Sequence, residues 1–211
     1  GTSRSGPLLR RPAVSLARIT SRALAGTDAP EVTVEVHLAN GLPSLTLVGL
    51  PDTEVKESRD RVRAAILQSG FDFPAKKITV NLAPADLPKE SGRFDLPIAL
   101  GVLAASGQIA PDKLAAYEFA GELALSGALR PVRGALALAR QAASDGSLWL
   151  FSSSEAVANL QQLLPQQQWH SGLALTTHER IASKALSAGF GRVLHSSASL
   201  DDVVASIESA L

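Results

Sequence analysis

Cysteine and methionine are both absent from the 211 residues of this chain. Without cysteine there is no disulfide, no thiolate nucleophile and no thiolate metal ligand, and a reducing cytoplasm is the expected location. No apolar run approaches the roughly 20 residues that a membrane-spanning helix needs, so no membrane partner is expected. The formal net charge is +0, so attraction to nucleic acid requires a local cluster of cations.

Two further kinds of site are missing from the sequence. The four histidines are scattered and do not have the spacing of metal ligands. The phosphate-binding pattern G-x-x-x-x-G-K followed by Ser or Thr does not occur, so ATP hydrolysis by this chain is not expected. Neither a metal nor another cofactor is therefore predicted. The apolar fraction of 45% does predict a globular core rather than a disordered chain.

The hydrophobic pattern divides the chain into three parts. Residues 1–13 contain three arginines and two prolines without the apolar stretch of a signal peptide, and they are predicted to be a disordered leader. Residues 14–145 predict an α+β layer in the order hairpin, helix, strand, helix, hairpin, helix. In residues 146–211 strands and helices alternate, which predicts a partial α/β segment with a parallel sheet.

Local signals predict the individual elements. Residues 32–38 alternate between apolar and polar, and Asn40-Gly41 predicts a hairpin that returns along residues 44–50. Asp52 or Thr53 is predicted to cap the helix that follows. The other predicted elements of this part are a strand at 77–82, a buried helix at 96–106, a hairpin that turns at Ser126-Gly127 and a helix at 134–143. In the tail, strands are predicted at 148–151, 173–176 and 193–195, and helices at 155–164, 179–189 and 200–211.

The loop between the strand at 77–82 and the helix at 96–106 is the first candidate site. A rigid strand and a helix N-terminus fix its two ends, which is where sites are commonly built. An ion pair between Arg93 and Asp95 is predicted to hold the loop to the start of the helix, where the dipole favours a carboxylate. Contact with a ligand is the alternative role of this pair. Asp86, Lys89 and Glu90 are expected to be solvated charges, with contact to a partner as their alternative role.

Basic residues form the second candidate site. They lie on the helix that begins near Thr53, before the next strand, and at the end of the second hairpin: Lys56, Arg59, Arg61, Arg63, Lys76, Lys77, Arg130 and Arg133. Such a cluster can contact the phosphates of DNA or another subunit. Acidic residues interleave with it on the helix and suit i,i+4 pairing, so a solvated helix face is the competing interpretation.

Several phrases in residues 14–143 resemble the N-terminal domain of the ComM family of magnesium-chelatase-like ATPases. They include Val48-Gly49-Leu50-Pro51-Asp52, the run from Val80 to Ala99, and Gly121-Glu122-Leu123. The resemblance implies a Lon-protease-like domain, with a ribosomal-protein-like β-α-β fold, followed by an ATPase module. It also implies a homo-oligomeric ring that helps to drive branch migration of DNA in natural transformation.

The same resemblance implies that no catalytic residue is present. A Lon-type peptidase needs a serine nucleophile and a lysine general base. The family pattern places Asp95 at the serine position and Leu136 at the lysine position. A carboxylate without an activating amine cannot replace the hydroxyl nucleophile, so protease activity is not expected.

The tail resembles the C-terminal part of uroporphyrinogen-III synthase. The matching phrases are the run from Trp149 to Leu160, the run from Thr176 to Ala182 and the ending at 199–207. By this resemblance, Ser153, Ser154 and Thr177 are candidates for binding a substrate carboxylate at strand-to-helix loops. The rest of that two-domain synthase has no counterpart here, so helix capping is the alternative.

Three hypotheses about function follow. The first is a non-catalytic domain that contacts its ATPase module, further copies of itself, or single-stranded or branched DNA. The second is a tetrapyrrole biosynthesis protein with an inactive synthase-like tail, and the third is a chimeric chain without a function of its own. The tail is expected either to pack onto the first sheet through residues 148–151 or to promote association, since an orphaned sheet exposes an edge.

Overall fold

A four-stranded sheet forms the first half of the molecule. The computed structural model of the protein describes residues 15–26, 28–115, 117–130, 132, 148–151, 154–197 and 199–209. The strands β1 and β2 run antiparallel to each other, β4 runs antiparallel to β2, and β3 runs parallel to β4. In the order in which they lie side by side, they are β1 (Leu16–Arg22), β2 (Glu31–Ala39), β4 (Lys77–Ala83) and β3 (Ser44–Val48).

The hairpin predicted between residues 32–38 and 44–50 is wrong. β2 pairs with β4, so that Val36 lies opposite Val80, and β3 pairs with the other side of β4. The Asn40-Gly41 signal is local, whereas burial decides which strands become neighbours. β4 has fully buried side chains and takes the central place, while β3 has no buried residue and lies at the edge of the sheet.

The first region contains three helices among its described residues, and the first of them begins at a clear local signal. Helix α1 (Thr53–Gln68) starts at the predicted cap, where the Asp52 carboxylate accepts a hydrogen bond from the Val55 N–H at 2.8 Å. Helix α2 (Asp95–Ala105) follows one 3-10 turn (Gly92–Phe94), and all of its residues are buried. The sequence pattern did not predict the short helix α3 (Pro111–Leu114). The second predicted hairpin is confirmed as β5 (Glu122–Leu123) and β6 (Leu129–Arg130).

The core of the first region is mainly aliphatic and closely packed. Helix α2 packs against β1, β2 and α1. At Gly101 a Cβ atom would lie only 2.5 Å from Cγ2 of Val36, so the glycine allows α2 to approach the sheet. Fully buried members of this core include Val34, Val36, Ile66, Val80, Leu100 and Leu103.

The tail forms its own parallel sheet, and this prediction is confirmed. The strands β7 (Leu148–Phe151), β8 (Leu173–Thr176) and β9 (Arg192–His195) lie in that order and are all parallel. Helices α4 (Ser154–Leu163) and α5 (Glu179–Ser187) follow the first two strands. The core beside this sheet is aromatic, with centroid distances between 5.2 and 6.2 Å among the rings of Trp149, Phe151, Trp169 and Phe190.

The last helix joins the tail to the first region. Helix α6 (Leu200–Ser209) places Leu200, Val203 and Val204 in the first core. The backbone N–H of Leu200 donates a hydrogen bond to the Gly127 carbonyl at 3.0 Å, and the Lys113 ammonium donates to the Glu208 carbonyl at 2.7 Å. Among the described residues, the tail therefore docks through this helix, whereas residues 148–151 form the edge strand of the tail's own sheet.

Both halves together confirm the predicted mixed α+β architecture. The predicted leader at 1–13 and the predicted helix at 134–143 lie outside the described residues.

Candidate functional site

The loop between β4 and α2 carries three charged residues into the interior. Lys89, Arg93 and Asp95 are 0%, 1% and 0% exposed. The expectation that Lys89 is a solvated charge is therefore wrong, whereas Asp86 and Glu90 are exposed as expected. Since buried charges are costly unless they are paired or hydrogen-bonded, the partners of these three residues decide what the loop can do.

Asp95 connects three elements of the first region. It is the first residue of α2, and its carboxylate accepts hydrogen bonds from the Arg61 guanidinium at 2.7 and 3.1 Å. The same carboxylate accepts a hydrogen bond from the backbone N–H of Leu123 in β5 at 3.1 Å. Burial raises the pKa of the Asp95 carboxyl, and the hydrogen bonds from Arg61 and Ser58 oppose that rise. The carboxylate thus ties α1, α2 and β5 together.

Arg61 is therefore the cation that pairs with Asp95. This corrects the prediction of an ion pair between Arg93 and Asp95. Arg93 lies in the 3-10 turn before α2, where its Nε donates to the Ser91 hydroxyl at 3.2 Å. Its carbonyl accepts a hydrogen bond from the Gly121 N–H at 2.9 Å. Desolvation by burial lowers the pKa of Arg93.

A signal in the sequence could have placed Arg61 correctly. Ser58, Val62 and Ala65 are all 0% exposed, and with Arg61 they recur at the spacing of one buried helix face. Arg61 begins at the edge of that face, and its side chain is 20% exposed. It therefore does not belong to an exposed basic face of α1, as the sequence predicts for it.

The backbone of the loop is held as firmly as its side chains. The Lys89 ammonium donates a hydrogen bond to the Pro84 carbonyl, and the Lys89 carbonyl accepts one from the Asp52 N–H at 3.1 Å. Desolvation lowers the pKa of Lys89. At Gly92 a Cβ atom would lie 2.7 Å from Cγ of Glu122, so the loop lies directly against β5.

This arrangement favours a structural role for the loop over a catalytic or ligand-binding role. The Asp95 carboxylate is buried and engaged by Arg61 and Leu123, so it presents no surface to a ligand from solvent. Leu136, which the family pattern places at the lysine position, lies outside the described residues. Within the described ranges, no group of His, Asp and Glu side chains could hold a metal ion.

A groove beside α1 gathers part of the predicted basic cluster. It has a volume of about 320 Å³ and lies between α1, the start of β3 and the segment before β4. Its lining residues are Pro43, Ser44, Leu45, Arg59, Asp60, Arg63, Phe73, Pro74 and Lys76. The Arg63 guanidinium carbon lies 4.8 Å from the centroid of the Phe73 ring, which is a cation–π contact.

The other predicted cations are distributed differently. Lys56 and Lys77 are exposed but do not line the groove. Arg130 is exposed on β6 and lies 3.6 Å from the Glu122 carboxylate, while Arg133 lies outside the described residues. Sequence reasoning missed Phe73, although an aromatic residue shortly before two lysines is a usable signal for nucleic-acid binding.

Two of the candidate residues of the tail lie beside the ends of its strands. Ser154 is the first residue of α4, the helix after β7, and Thr177 follows β8. The Thr177 N–H donates to the Phe151 carbonyl at 3.2 Å. Ser153 lies outside the described residues. Binding of a carboxylate by these residues stays a prediction, with helix capping as its alternative.

Among the described residues, no helix is both long and apolar enough to cross a bilayer.

Comparison with known proteins places the first region in a family. The sequence profile described as subunit ChlI of Mg-chelatase matches residues 34–155. YifB of Salmonella typhimurium, described as uncharacterized, is 62% identical over 133 residues, which are 63% of this chain and 26% of that protein. Competence protein ComM of Haemophilus influenzae is 61% identical over 123 residues, or 58% of this chain and 24% of that protein.

A more distant relative agrees with these two. The uncharacterized protein Rv2897c of Mycobacterium tuberculosis is 41% identical over 133 residues, again 63% of this chain and 26% of that protein. The chain thus spans about a quarter of the length of the curated relatives it matches. The resemblance to the ComM and magnesium-chelatase-like family is confirmed for this part of the chain, and the synthase resemblance of the tail stays a prediction.

Proposed function

Because the chain belongs to the family of Mg-chelatase subunit ChlI, we propose that its first region is a non-catalytic, Lon-protease-like domain. In a longer protein it acts beside an ATPase module. The chain matches 26% of the length of YifB. In the proposed arrangement, the ATPase module lies in the part of such a longer protein that this chain does not match. The absence of cysteine supports a cytoplasmic location.

The buried pair of Asp95 and Arg61 is the observation that carries this proposal. At the position where the Lon pattern requires a serine nucleophile, the side chain is a carboxylate that is 0% exposed. Its hydrogen bonds with Arg61 and the Leu123 N–H hold α1, α2 and β5 together. A group with this role stabilises the domain and does not attack a substrate.

A protease assay tests the non-catalytic role. We expect no release of labelled peptides from casein by the purified chain, even at high protein concentration. Cleavage that is lost in Asp95→Asn, with the fold intact by circular dichroism, would contradict the proposal.

Contact with DNA is the role that the exposed cations support. Arg59, Arg63 and Lys76 line one groove, and the relative from Haemophilus influenzae is described as a competence protein. In the proposed role, copies of the domain in a homo-oligomer touch single-stranded or branched DNA while the ATPase module drives branch migration. Cations clustered on one surface attract phosphates even when the net charge of the chain is zero.

A charge-reversal pair of variants tests the contact with DNA. The full chain is titrated against fluorescein-labelled single-stranded and branched oligonucleotides at two salt concentrations, with anisotropy as the readout. R59E/R63E/K76E should weaken binding about tenfold or more, because three phosphate contacts are replaced by repulsion. Arg61 is left unchanged, since its reversal would break the buried pair with Asp95.

The matched control carries the same change in charge elsewhere. R180E/K184E/R192E reverses three exposed cations of the tail and should change binding by no more than about twofold. Equal losses in the two triple variants, or no binding by the unmodified chain at low salt, would contradict a DNA contact at α1.

A tetrapyrrole-pathway role for the tail is the second candidate. The hydrogen bond from the Thr177 N–H to the Phe151 carbonyl joins the end of β7 to the residue after β8, and ligands of parallel sheets bind at the carboxyl ends of the strands. Because the synthase-like tail is expected to be inactive, the test is binding: uroporphyrin III, a polycarboxylate tetrapyrrole, should quench the fluorescence of Trp149 and Trp169. No quenching at high protein concentration would reject this role.

A further inference from the structure

The groove beside α1 combines flat, rigid and charged surfaces. Arg63 lies over the Phe73 ring at 4.8 Å, so the guanidinium is held against an aromatic face. Pro43 and Pro74 belong to the walls, and their rings restrict the backbone there. The Ser44 N–H donates to the Lys76 carbonyl at 3.2 Å, which ties the two walls together. The groove is thus largely formed before any ligand arrives.

The charges of the groove favour an anion. Three cations, Arg59, Arg63 and Lys76, line it together with one carboxylate, Asp60. The Arg59 Nε donates to the Lys56 carbonyl at 3.2 Å, which fixes the start of that guanidinium beside α1. Three positive charges against one negative charge leave an excess of two positive charges, so a phosphate group is attracted here.

The shape of the groove restricts which phosphate compound fits. A volume of about 320 Å³ is at the small end of the roughly 300–1,000 Å³ that ligand pockets span. Bases of single strands stack on aromatic rings and on arginine planes, and cations beside these surfaces track the backbone. In a duplex the base faces are covered by their neighbours, so they are not available for such a contact.

We propose that this groove binds one nucleotide unit of a single-stranded nucleic acid. The phosphate lies at Arg59 and Lys76, and the base packs against the Arg63–Phe73 pair. The inference rests on the proposed contact with DNA and names the form of nucleic acid and the side chains that select it.

Arg63→Lys is the variant that separates stacking from charge. Lysine keeps the positive charge but lacks the planar guanidinium. The full chain is titrated against fluorescein-labelled dT20 and against a labelled duplex of equal length. We expect binding of dT20 to weaken about three- to tenfold, since one stacking contact is lost, while binding of the duplex stays unchanged. R192K, at an exposed arginine of the tail, is the control and should change neither affinity.

The outcomes distinguish this inference from the broader proposal. The inference fails if R63K binds dT20 as tightly as the unmodified chain does. It also fails if the substitution weakens the binding of dT20 and of the duplex equally, because the groove then does not select an unpaired base. The contact with DNA itself survives that result as long as R59E/R63E/K76E still loses binding. If R59E/R63E/K76E also binds normally, both proposals fail together.

A crosslinking experiment provides a second, independent measurement. An oligonucleotide with 5-iodouracil is irradiated in complex with the full chain, and the modified peptide is identified by mass spectrometry. Attachment to the peptide that contains Phe73 is the expected result, and it should decrease in R63K. Attachment mainly to peptides with Trp149 or Trp169 would place the strand on the tail and overturn the inference.

Discussion

The two cores of the molecule are built from different side chains. The first core consists mainly of aliphatic residues, with Phe94 and Phe119, between a four-stranded sheet and α1 and α2. The second core contains four aromatic rings, Trp149, Phe151, Trp169 and Phe190, beside three parallel strands. Many small contacts therefore stabilise the first region, whereas each ring of the second carries a large share of its buried area.

The comparison indicates that the two regions can unfold separately. Each has its own sheet and its own core, and helix α6 connects them by packing into the first core. Both tryptophans of the chain, Trp149 and Trp169, lie in the second region. Tryptophan fluorescence therefore follows the second region alone, while far-UV circular dichroism follows the whole chain.

Phe190→Ala should have the largest effect and should break the second core. The Phe190 ring lies 5.5 Å from Phe151 and 5.2 Å from Trp169, and its removal should cost about 4 kcal/mol of unfolding free energy. In urea titrations the fluorescence midpoint should fall well below the dichroism midpoint. Phe190→Leu is the control, with a loss of about 1 kcal/mol. Equal shifts of the two midpoints would show that the two cores form one cooperative unit.

Asp95→Ala should weaken the first region instead. It removes the buried partner of Arg61 and should cost about 3 kcal/mol, with little change in the fluorescence midpoint. Arg18→Ala is the matched control, because the Arg18 side chain is 66% exposed in its pair with Glu35 and should lose no more than about 1 kcal/mol. Comparable losses in the two variants would mean that burial does not set the strength of these ion pairs.

Leu200→Ala tests the helix that connects the regions. Leu200 is 0% exposed in the first core, and its truncation should cost about 2 kcal/mol. Since α6 is the link, the variant should also widen the gap between the fluorescence and dichroism midpoints. Leu186→Ala on α5, where Leu186 is 59% exposed, should change stability by less than about 0.5 kcal/mol. An unchanged gap between the two midpoints in Leu200→Ala would exclude α6 as the link.

Asp52→Ala should have the smallest effect and should be confined to α1. Loss of the hydrogen bond between the Asp52 carboxylate and the Val55 N–H should cost about 1 kcal/mol. Asp52→Asn keeps an acceptor and should restore most of the stability. A shift of the fluorescence midpoint in Asp52→Ala would contradict the separation of the two regions.

The sequence predicts the elements of this molecule better than their neighbours. An alternating pattern locates β2, the succession of strands and helices predicts the parallel sheet of the tail, and an acidic cap locates the start of α1. The pairing of β3 with β4 is not predicted, since it depends on which strand has the most apolar surface to bury. A turn signal such as Asn40-Gly41 contains no information about that competition.

The candidate site shows the same limit. The sequence identifies the loop with Lys89, Arg93 and Asp95, but not the partner that α1 contributes, because Arg61 lies 34 positions before Asp95. Likewise it identifies Arg59, Arg63 and Lys76 as cations without the Phe73 ring that completes their groove. Contacts between distant segments depend on how the elements pack. A single sequence gives the residue types but does not show which of them pack together.

The bridge between Ala128 and Ser199 has a practical consequence for protein engineering. The last helix therefore re-enters the first region beside the start of β6. A reporter with closely spaced termini can replace the residues that follow β6 and precede α6, while β6 keeps its pairing with β5 and α6 keeps its place in the first core.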